Sequence, residues 1–332
     1  MLSDLQQQQF GQNGYVVVDD VISLSLIDDL LSTCDGIANG LARDAVAAGA
    51  APAEILGRPG PAKIVALTRL TGRGFGQYFD ISLPPAGNIR PDTPINTAAS
   101  VFSILVDEHL LDLVAGITGP EITCNPTQHL RLKLPADATP SGSDGLAATV
   151  PWHQDNGVLL EEADASHVLT VWIPCTPATS QNGCLQVIPR TPGMPLLAHC
   201  PKPEGYSIPD TLVQAAGQPV TLEMQPGSVL LMDQRTVHAS RENVTRDDVR
   251  ISLDLRYQPT GEPTGRPLFP AFVARSSSSP QTALRDPAAW AALWADARRR
   301  LAEPEARSPF FRWGEGGLAM RISSLSGLEH DA

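Results

Sequence analysis

Hydrophobic residues recur at helical spacing in several parts of the chain. From Ser25 onward, apolar positions lie three and four residues apart, which predicts an amphipathic helix with one face on a core. The same spacing returns over residues 101–117, and Asp286 is placed to cap a further helix. A shorter helix is predicted over residues 2–9, with Ser3 as its N-cap. The predicted apolar face of the helix after Asp286 comprises Trp290, Leu293, Trp294, Ala297 and Leu301.

Between residues 121 and 258 the pattern changes to short runs rich in strand-forming residues, separated by Pro, Gly, Asn and Asp. The predicted strands are 121–134, 168–175, 184–188, 219–223, 228–232 and 249–257. Another β-rich run, Tyr15–Val18, follows a turn at Gly14. Many short strands with turn signals between them predict a sandwich, a barrel or a jelly roll, so the fold class is mainly β with flanking α-helices.

No internal repeat and no second core signature interrupts the chain, so we expect a single domain over residues 1–332. Residues 1–120 would supply N-terminal helices and a variable insertion, 121–258 the jelly-roll core, and 259–332 an extension that packs on the core. Within the first part, residues 43–100 are rich in Ala, Gly and Pro. They are either an insertion across an active-site mouth or plain surface loop, and both interpretations stay open. Residues 136–148 are expected to form a polar flexible loop.

Composition narrows the classes of partner. The formal net charge is −12, which argues against binding to nucleic acid phosphates. No apolar run approaches the ~20 residues of a membrane span, so we expect no membrane partner. The N-terminal residues lack the basic and apolar regions of a signal peptide, which favours a cytoplasmic protein. The five cysteines are irregularly spaced without a CxxC pair, and we expect reduced, buried thiols.

Candidate chemistry is concentrated around the stretch at residues 150–156. His153 and Asp155 are separated by one residue, and alternate side chains of an extended strand point to the same face. This pair is a weak signal alone, but His238 and Arg250 follow in a later β-rich part of the chain. Two histidines and one carboxylate form the ligand set of the non-haem Fe(II) oxygenases, which leaves three metal positions open.

Arg250 lies within an otherwise apolar, strand-like run, where a charge is costly unless it is paired. Arginine offers a planar two-pronged donor that suits a carboxylate, such as the far carboxylate of 2-oxoglutarate. A buried ion pair with another side chain of the protein is the competing interpretation. Arg246 and Arg256 are alternative anchors that are less well placed along the chain.

Several ordered motifs resemble the phytanoyl-CoA dioxygenase (PhyH) family, and the resemblance covers most of residues 10–258. The motifs are FGQNGYVVVDDVIS at 10–23, HLRLKLPAD at 129–137, WHQD at 152–155, NGCL at 182–185 with Ile188-Pro189, and QPGSVLL at 225–231 before VHAS at 237–240. The resemblance implies a double-stranded β-helix, a jelly roll of the cupin kind, with helices packed outside. It also implies the cofactors Fe(II) and O₂ and the co-substrate 2-oxoglutarate.

By this resemblance, specific residues acquire expected roles. His153, Asp155 and His238 would be the catalytic metal ligands. The 2-oxoglutarate would be held by Arg250, Ser240 and Lys133. Trp172 would lie near the same pocket, although core packing explains a tryptophan there equally well. His129 and Arg131 share the strand face of Lys133 by alternation, and together with Asn156 they are candidates for binding substrate.

The expected reaction follows from the same resemblance. Halogenases related to this family carry a small residue at the position of Asp155, so a carboxylate there favours hydroxylation. We expect a dioxygenase that hydroxylates an unactivated C–H bond of a small metabolite or natural-product intermediate and releases succinate and CO₂. Two alternatives remain: a cupin-like metal enzyme that does not use 2-oxoglutarate, and a jelly-roll binding protein without catalysis. Arg250 and Lys133 distinguish the dioxygenase from the cupin-like enzyme, because only an enzyme that uses 2-oxoglutarate needs an anchoring cation.

Overall fold

The computed structural model describes residues 2–84, 88–140, 149–202, 205–303 and 312–313. Within these ranges lie the helices α1 (Asp4–Asn13), α2 (Leu24–Ala47), α3 (Gly60–Thr71), α4 (Ala99–Leu105), α5 (Glu108–Thr118), α6 (Asp210–Ala216) and α7 (Pro287–Leu301). No helix of these described ranges is both long and apolar enough to cross a membrane.

Antiparallel strands form two main sheets. The strands are β1 (Tyr15–Val18), β2 (Ile122–Lys133), β3 (Leu169–Pro174), β4 (Leu185–Ile188), β5 (Cys200–Lys202), β6 (Gly205–Ser207), β7 (Val220–Leu222), β8 (Val229–Asp233), β9 (Val237–Ser240), β10 (Arg250–Pro259) and β11 (Phe272–Arg275). The larger sheet has the order β1-β8-β3-β10-β2-β11, and the smaller has the order β7-β4-β9. Strands β5 and β6 form a separate hairpin. This is the double-stranded β-helix expected from the sequence, with helices outside.

Strand β10 shows how the larger sheet separates an apolar layer from a polar one. Its odd-numbered residues 251–257 are Ile, Leu, Leu and Tyr, and all four are buried in the main core. Its even-numbered residues 250–256 are Arg, Ser, Asp and Arg, and they lie on the opposite face because side chains alternate along a strand. The polar face is directed toward the smaller sheet, so the charges of β10 are collected between the two sheets.

The helices cover the apolar face of the larger sheet. The side chains of Trp290 and Trp294 on α7 are fully buried in the same core as α2, α4 and α5. The hydroxyl of Tyr257 on β10 donates to the carbonyl oxygen of Leu105 at 3.0 Å, which ties the sheet to the end of α4. The helices and the sheet therefore share one continuous core.

The predicted strands are confirmed within two residues at each end, but α1 extends four residues beyond the predicted end at residue 9, and the helix predicted over 101–117 is divided into α4 and α5. Ser3 caps α1 in a capping box, and the Asp286 carboxylate accepts from the Ala288 amide at 2.8 Å at the start of α7. The prediction for Leu293 was wrong: it is 40% exposed, because it lies at the edge of the α7 stripe that faces the core. Residues 43–100 include α3, which packs on α2, so this part of the segment is neither irregular nor loop.

Other parts of the chain were missed or lie outside the description. Strands β5, β6, β9 and β11 and helix α6 were not predicted. Of the expected loop at 136–148, residues 136–138 form a turn of 3₁₀ helix, and 141–148 lie outside the described residues. All five cysteines are free, and four of them are buried, as expected.

Candidate metal centre

His153 and His238 are held side by side by their own backbones. The His153 amide donates to the His238 carbonyl oxygen at 3.0 Å, and the His238 amide donates back to the His153 carbonyl oxygen at 3.0 Å. Residues that exchange both hydrogen bonds across an antiparallel pair present their side chains on one face. The two imidazole centroids are accordingly 4.1 Å apart. The pairing extends β9 of the smaller sheet by one bridge and brings the distant histidines together.

Asp155 completes the cluster from a turn of 3₁₀ helix over Asp155–Gly157. Its Oδ1 lies 3.8 Å from Nε2 of His153, and its Oδ2 lies 3.9 Å from Nε2 of His238. The side chain of Asp155 is fully buried. In the described residues, these three form the one group of His, Cys, Asp and Glu whose ligand atoms all lie within 4.8 Å of one another.

The hydrogen bonds of the two rings fix which nitrogen faces Asp155. Nδ1 of His153 lies 2.9 Å from the Pro151 carbonyl oxygen, and Nδ1 of His238 lies 2.9 Å from the Thr236 carbonyl oxygen. A carbonyl oxygen only accepts, so each Nδ1 carries a hydrogen, and Nε2 is the ring nitrogen left to bind a metal. Burial lowers the pKa of His153 to about 3, which keeps this imidazole neutral. Two imidazole Nε2 atoms and a carboxylate fit a divalent iron.

Two neighbours hold the Asp155 carboxylate. Nη2 of Arg256 donates to Oδ1, and the Thr170 hydroxyl donates to Oδ2. Burial alone would raise the pKa of Asp155, but Arg256 and the two histidines outweigh that effect and hold it below its usual range. The carboxylate is therefore ionised in the absence of a metal.

A narrow cavity between the two sheets extends from the histidine pair. It is lined by Arg131, Val150, His153, Trp172, Leu185, Met232, His238, Ala239, Ser240, Arg250 and Asp254. The Arg250 side chain is buried, with its guanidinium 5.3 Å from the centroid of the Trp172 ring and Nη1 donating to the Ser252 hydroxyl at 2.6 Å. Burial and then Arg131 lower the pKa of Arg250 to about 10, so it stays cationic at neutral pH.

Lys133 and Ser240 lie next to Arg250. Lys133 is opposite Arg250 in the register of β2 and β10, and its Nζ donates to the Ser240 hydroxyl at 2.9 Å. Burial, followed by repulsion from Arg250 and Arg131, lowers the pKa of Lys133 to about 6. The Ser240 oxygen also accepts from the Val150 amide at 2.8 Å, which leaves its own hydrogen for a further acceptor.

The cavity wall does not include every residue singled out in the sequence. Nδ1 of His129 lies 3.0 Å from Oδ2 of Asp80, so the ring is engaged outside the cavity. Asn156 is buried next to Asp155 in the chain, and its backbone N–H donates to the backbone carbonyl oxygen of Gln234 at 2.9 Å. Arg246 is exposed and pairs with its neighbour Asp247 at 3.5 Å, so this alternative anchor is remote from the cavity.

Sequence reasoning missed the residues that surround Asp155. It treated Arg256 only as an alternative anchor for 2-oxoglutarate, and it did not consider Thr170 or Asp254. A signal was present, because Arg250, Ser252, Asp254 and Arg256 occupy alternate positions of one strand. A period-two row of polar residues opposite an apolar row marks a strand with a polar interior face.

Two facing antiparallel sheets, with two histidines and one carboxylate collected between them, define the class of non-haem iron oxygenases with a double-stranded β-helix. Residues 10–252 match the family described as phytanoyl-CoA dioxygenase (PhyH), and the chain belongs to this family. The family uses Fe(II), 2-oxoglutarate and O₂, which confirms the expected cofactors. It acts on small-molecule substrates.

Solved structures show the same fold. The non-haem monooxygenase ThoJ in its apo form is 20% identical, with coverage of 90% of this chain and 97% of that chain and a TM-score of 0.56. A ThoJ–Ni complex is 17% identical, with coverage of 98% and 97% and a TM-score of 0.50. EvdO2 from Micromonospora carbonacea var. aurantiaca is 20% identical, with coverage of 80% and 96% and a TM-score of 0.50. No curated protein sequence matches the chain.

Proposed function

We propose that this protein is an Fe(II)/2-oxoglutarate-dependent dioxygenase that hydroxylates an unactivated C–H bond of a small metabolite or natural-product intermediate. Succinate and CO₂ would be the co-products. The chain would work as one oxygenase domain, in which residues 121–258 supply the site and the flanking helices support the larger sheet. His153, Asp155 and His238 are the proposed iron ligands.

One observation carries the use of 2-oxoglutarate. Arg250 is buried, and its guanidinium forms no ion pair with any carboxylate in the described part of the chain. Its Nε has no hydrogen-bond partner there either. A buried cation without an anionic partner is costly, and a carboxylate that entered the cavity would relieve this cost. The alternative of a buried ion pair within the protein therefore loses its support, and a co-substrate carboxylate is favoured.

The other cavity residues are assigned by what their atoms offer. Arg250 would bind the far carboxylate of 2-oxoglutarate with its fork of donors, and Ser240 would donate its remaining hydrogen to the same group. Lys133, which donates to Ser240 but does not itself line the cavity, would add a donor beside them. Trp172 supports the Arg250 guanidinium with its ring face. Arg131, on the cavity wall, is the proposed contact toward the substrate.

The protein's share of the reaction is positioning and exclusion of water. The bound iron, with 2-oxoglutarate and O₂, supplies the oxidising power for attack on the C–H bond. The imidazoles of His153 and His238 keep their Nε2 atoms directed to one point because their Nδ1 atoms are fixed to backbone carbonyls. Leu185 and Met232 add apolar surface to the cavity wall.

The first test is an anaerobic titration of the apoprotein with Fe(II) and 2-oxoglutarate. We expect the visible charge-transfer band of iron-chelated 2-oxoglutarate, and we expect Arg250→Ala to weaken 2-oxoglutarate binding far more than iron binding. The matched control is Arg275→Ala, which removes an arginine that pairs with Asp112 at 2.7 Å on α5, outside the cavity. In this variant the band should form over the same range of 2-oxoglutarate concentration as in the wild type.

Different results separate the alternatives. Iron binding without a band in the wild type would favour a cupin-like enzyme that does not use 2-oxoglutarate. A band that survives in Arg250→Ala with unchanged affinity would move the anchor to another residue. A band without succinate release in a broad screen of small-molecule substrates would favour the non-catalytic alternative.

A further inference from the structure

A line of alternating charges, buried at Asp155 and Arg256 and half-buried at Asp254 and Arg131, leads from Asp155 to the cavity wall. The Arg256 side chain is 2% exposed and pairs with Asp155 on one side. On the other side its Nη1 lies 3.3 Å from Oδ1 of Asp254. Nη2 of Arg131 in turn lies 3.4 Å from Oδ2 of Asp254. Arg256 is therefore the cation nearest the carboxylate of the candidate metal centre within the described residues.

Arg256 is itself fixed in place. Besides the two carboxylates, its Nη1 donates to the Thr127 carbonyl oxygen at 3.0 Å. In the register of the larger sheet, Arg256 lies opposite Asn125 on β2 and Thr170 on β3. A guanidinium that is held by three acceptors at the middle of a sheet has little freedom to turn. The Arg256 guanidinium can therefore hold the Asp155 carboxylate at a fixed position relative to the sheet.

The group it contacts lies on a different kind of element. Asp155 belongs to a short turn after an isolated bridge, whereas Arg256 and Thr170 belong to two central strands. Arg256 binds one carboxylate oxygen and Thr170 binds the other. Each carboxylate oxygen has two lone pairs, so each oxygen still has one lone pair for a metal. The turn supplies the ligand, and the sheet determines its orientation.

We propose that Arg256 is a positioning residue of the metal centre, whose forked guanidinium anchors the Asp155 carboxylate to the larger sheet in the orientation that a divalent ion requires. This inference rests on the proposed metal centre and deepens it. Outer partners that orient a metal ligand typically contribute about 10- to 100-fold in metal affinity.

Charge and geometry act in opposite directions at this position, so the test must separate them. Removal of the guanidinium charge would favour a divalent ion by reducing repulsion. Arg256→Lys keeps the charge and removes the fork, because an ammonium is a point charge that cannot bridge two carboxylates in the same plane. A change in metal affinity in Arg256→Lys therefore reports on orientation.

The experiment measures the dissociation constant of Mn²⁺ from the apoprotein by the electron paramagnetic resonance signal of free Mn²⁺. We expect Arg256→Lys to raise this constant by about fivefold or more. Arg275→Lys is the matched control, because Arg275 also bridges two carboxylates, those of Glu108 and Asp112, but lies at the edge strand β11. It should lose stability without a change in Mn²⁺ affinity.

Each outcome bears on a different claim. A change of less than fivefold in Arg256→Lys, with normal binding in the wild type, overturns the role of Arg256 alone. Absence of Mn²⁺ binding in the wild type, or binding that persists in His153→Ala, overturns the proposed metal centre and this inference with it. If Arg256→Lys does not fold, the neutral double variant Arg256→Gln/Asp254→Asn replaces it. That variant removes the anchor and one carboxylate together, and the same fivefold threshold applies.

Discussion

Burial, more than any single neighbour, sets the protonation state of Lys133. Its side chain is 2% exposed, and burial is the largest of the effects that lower its pKa to about 6. Arg250, which lies directly opposite Lys133 in the register of β2 and β10, lowers this pKa further by electrostatic repulsion. At neutral pH a largely uncharged amine thus lies beside a charged guanidinium, which lets one carboxylate bind to the pair without excess positive charge.

The depressed pKa of Lys133 predicts a specific dependence of stability on pH. In the unfolded chain the lysine holds its proton up to about pH 10.5, whereas in the folded protein it loses it above about pH 6. Between these values the unfolded state binds more protons, so the free energy of unfolding rises with pH. We expect Lys133→Met to reduce this rise, measured by urea unfolding between pH 6.5 and pH 9, by roughly 3 kcal/mol. Parallel pH profiles for the two proteins would contradict the assignment.

At the scale of elements, the turn Asp155–Gly157 depends on the absence of a side chain at its last residue. A β-carbon at Gly157 would collide with the ring of His199. That ring cannot retreat easily, because its Nε2 accepts from the Gln154 amide at 3.0 Å and its face stacks on Trp313 at a centroid distance of 5.1 Å. The His199 ring therefore lies between Gly157 and the backbone of Gln154, the residue that separates His153 from Asp155.

We expect Gly157→Ala to displace this turn and weaken Mn²⁺ binding by about tenfold or more, because the orientation of Asp155 would change. The matched control is Gly193→Ala, in another 3₁₀ turn, where a β-carbon would meet nothing within 4 Å. Equal Mn²⁺ affinities in both alanine variants would show that the turn tolerates the displacement.

The elements that the sequence predicted have either a regular apolar repeat or a run of strand-favouring residues. Strand β10 and helix α2 were found because their apolar residues repeat over many positions. Strand β9, Val-His-Ala-Ser, is as short as β1 and β4, but it was missed because Val237 is its one β-branched residue. Helix α3 begins at a Gly-Pro pair in Ala- and Gly-rich surroundings, and its packing on α2 stabilises it against weak local propensity.

At the scale of the whole molecule, the shared core makes the helices and the metal centre one structural unit. The core that contains Trp290 and Trp294 also contains the apolar side of β10, whose other side carries Arg250 and Arg256. Loss of the helix layer would thus free the sheet that positions the site.

This continuity predicts a single unfolding transition. Thermal unfolding followed by far-ultraviolet circular dichroism should coincide with loss of the absorption of Co²⁺ bound to the site. Trp294→Ala, which leaves a large cavity beneath α7, should shift both signals together and cost about 3–5 kcal/mol of stability. Loss of the Co²⁺ signal well after the helices have melted would instead indicate two independent units.

The proposed ligand set could be predicted from the sequence, whereas its surroundings could not. The short motifs WHQD and VHAS contain the three proposed ligands His153, Asp155 and His238, and they can be recognised in the sequence without knowledge of the fold. The contact between Asp155 and Arg256 depends on which strands become neighbours, and β10 lies between β2 and β3 only because long connections cross the molecule. Local pattern carries the chemistry of single residues, while strand order determines which charges meet.

The two backbone hydrogen bonds between His153 and His238 have a consequence for local opening of the protein. Neither amide can exchange its hydrogen with solvent unless the bridge between the two residues opens, and this opening would release both imidazoles at once. Deuterium uptake at these two positions should therefore be synchronous. The dissociation rate of a bound ion would then be limited by local opening at β9, the edge strand of the smaller sheet.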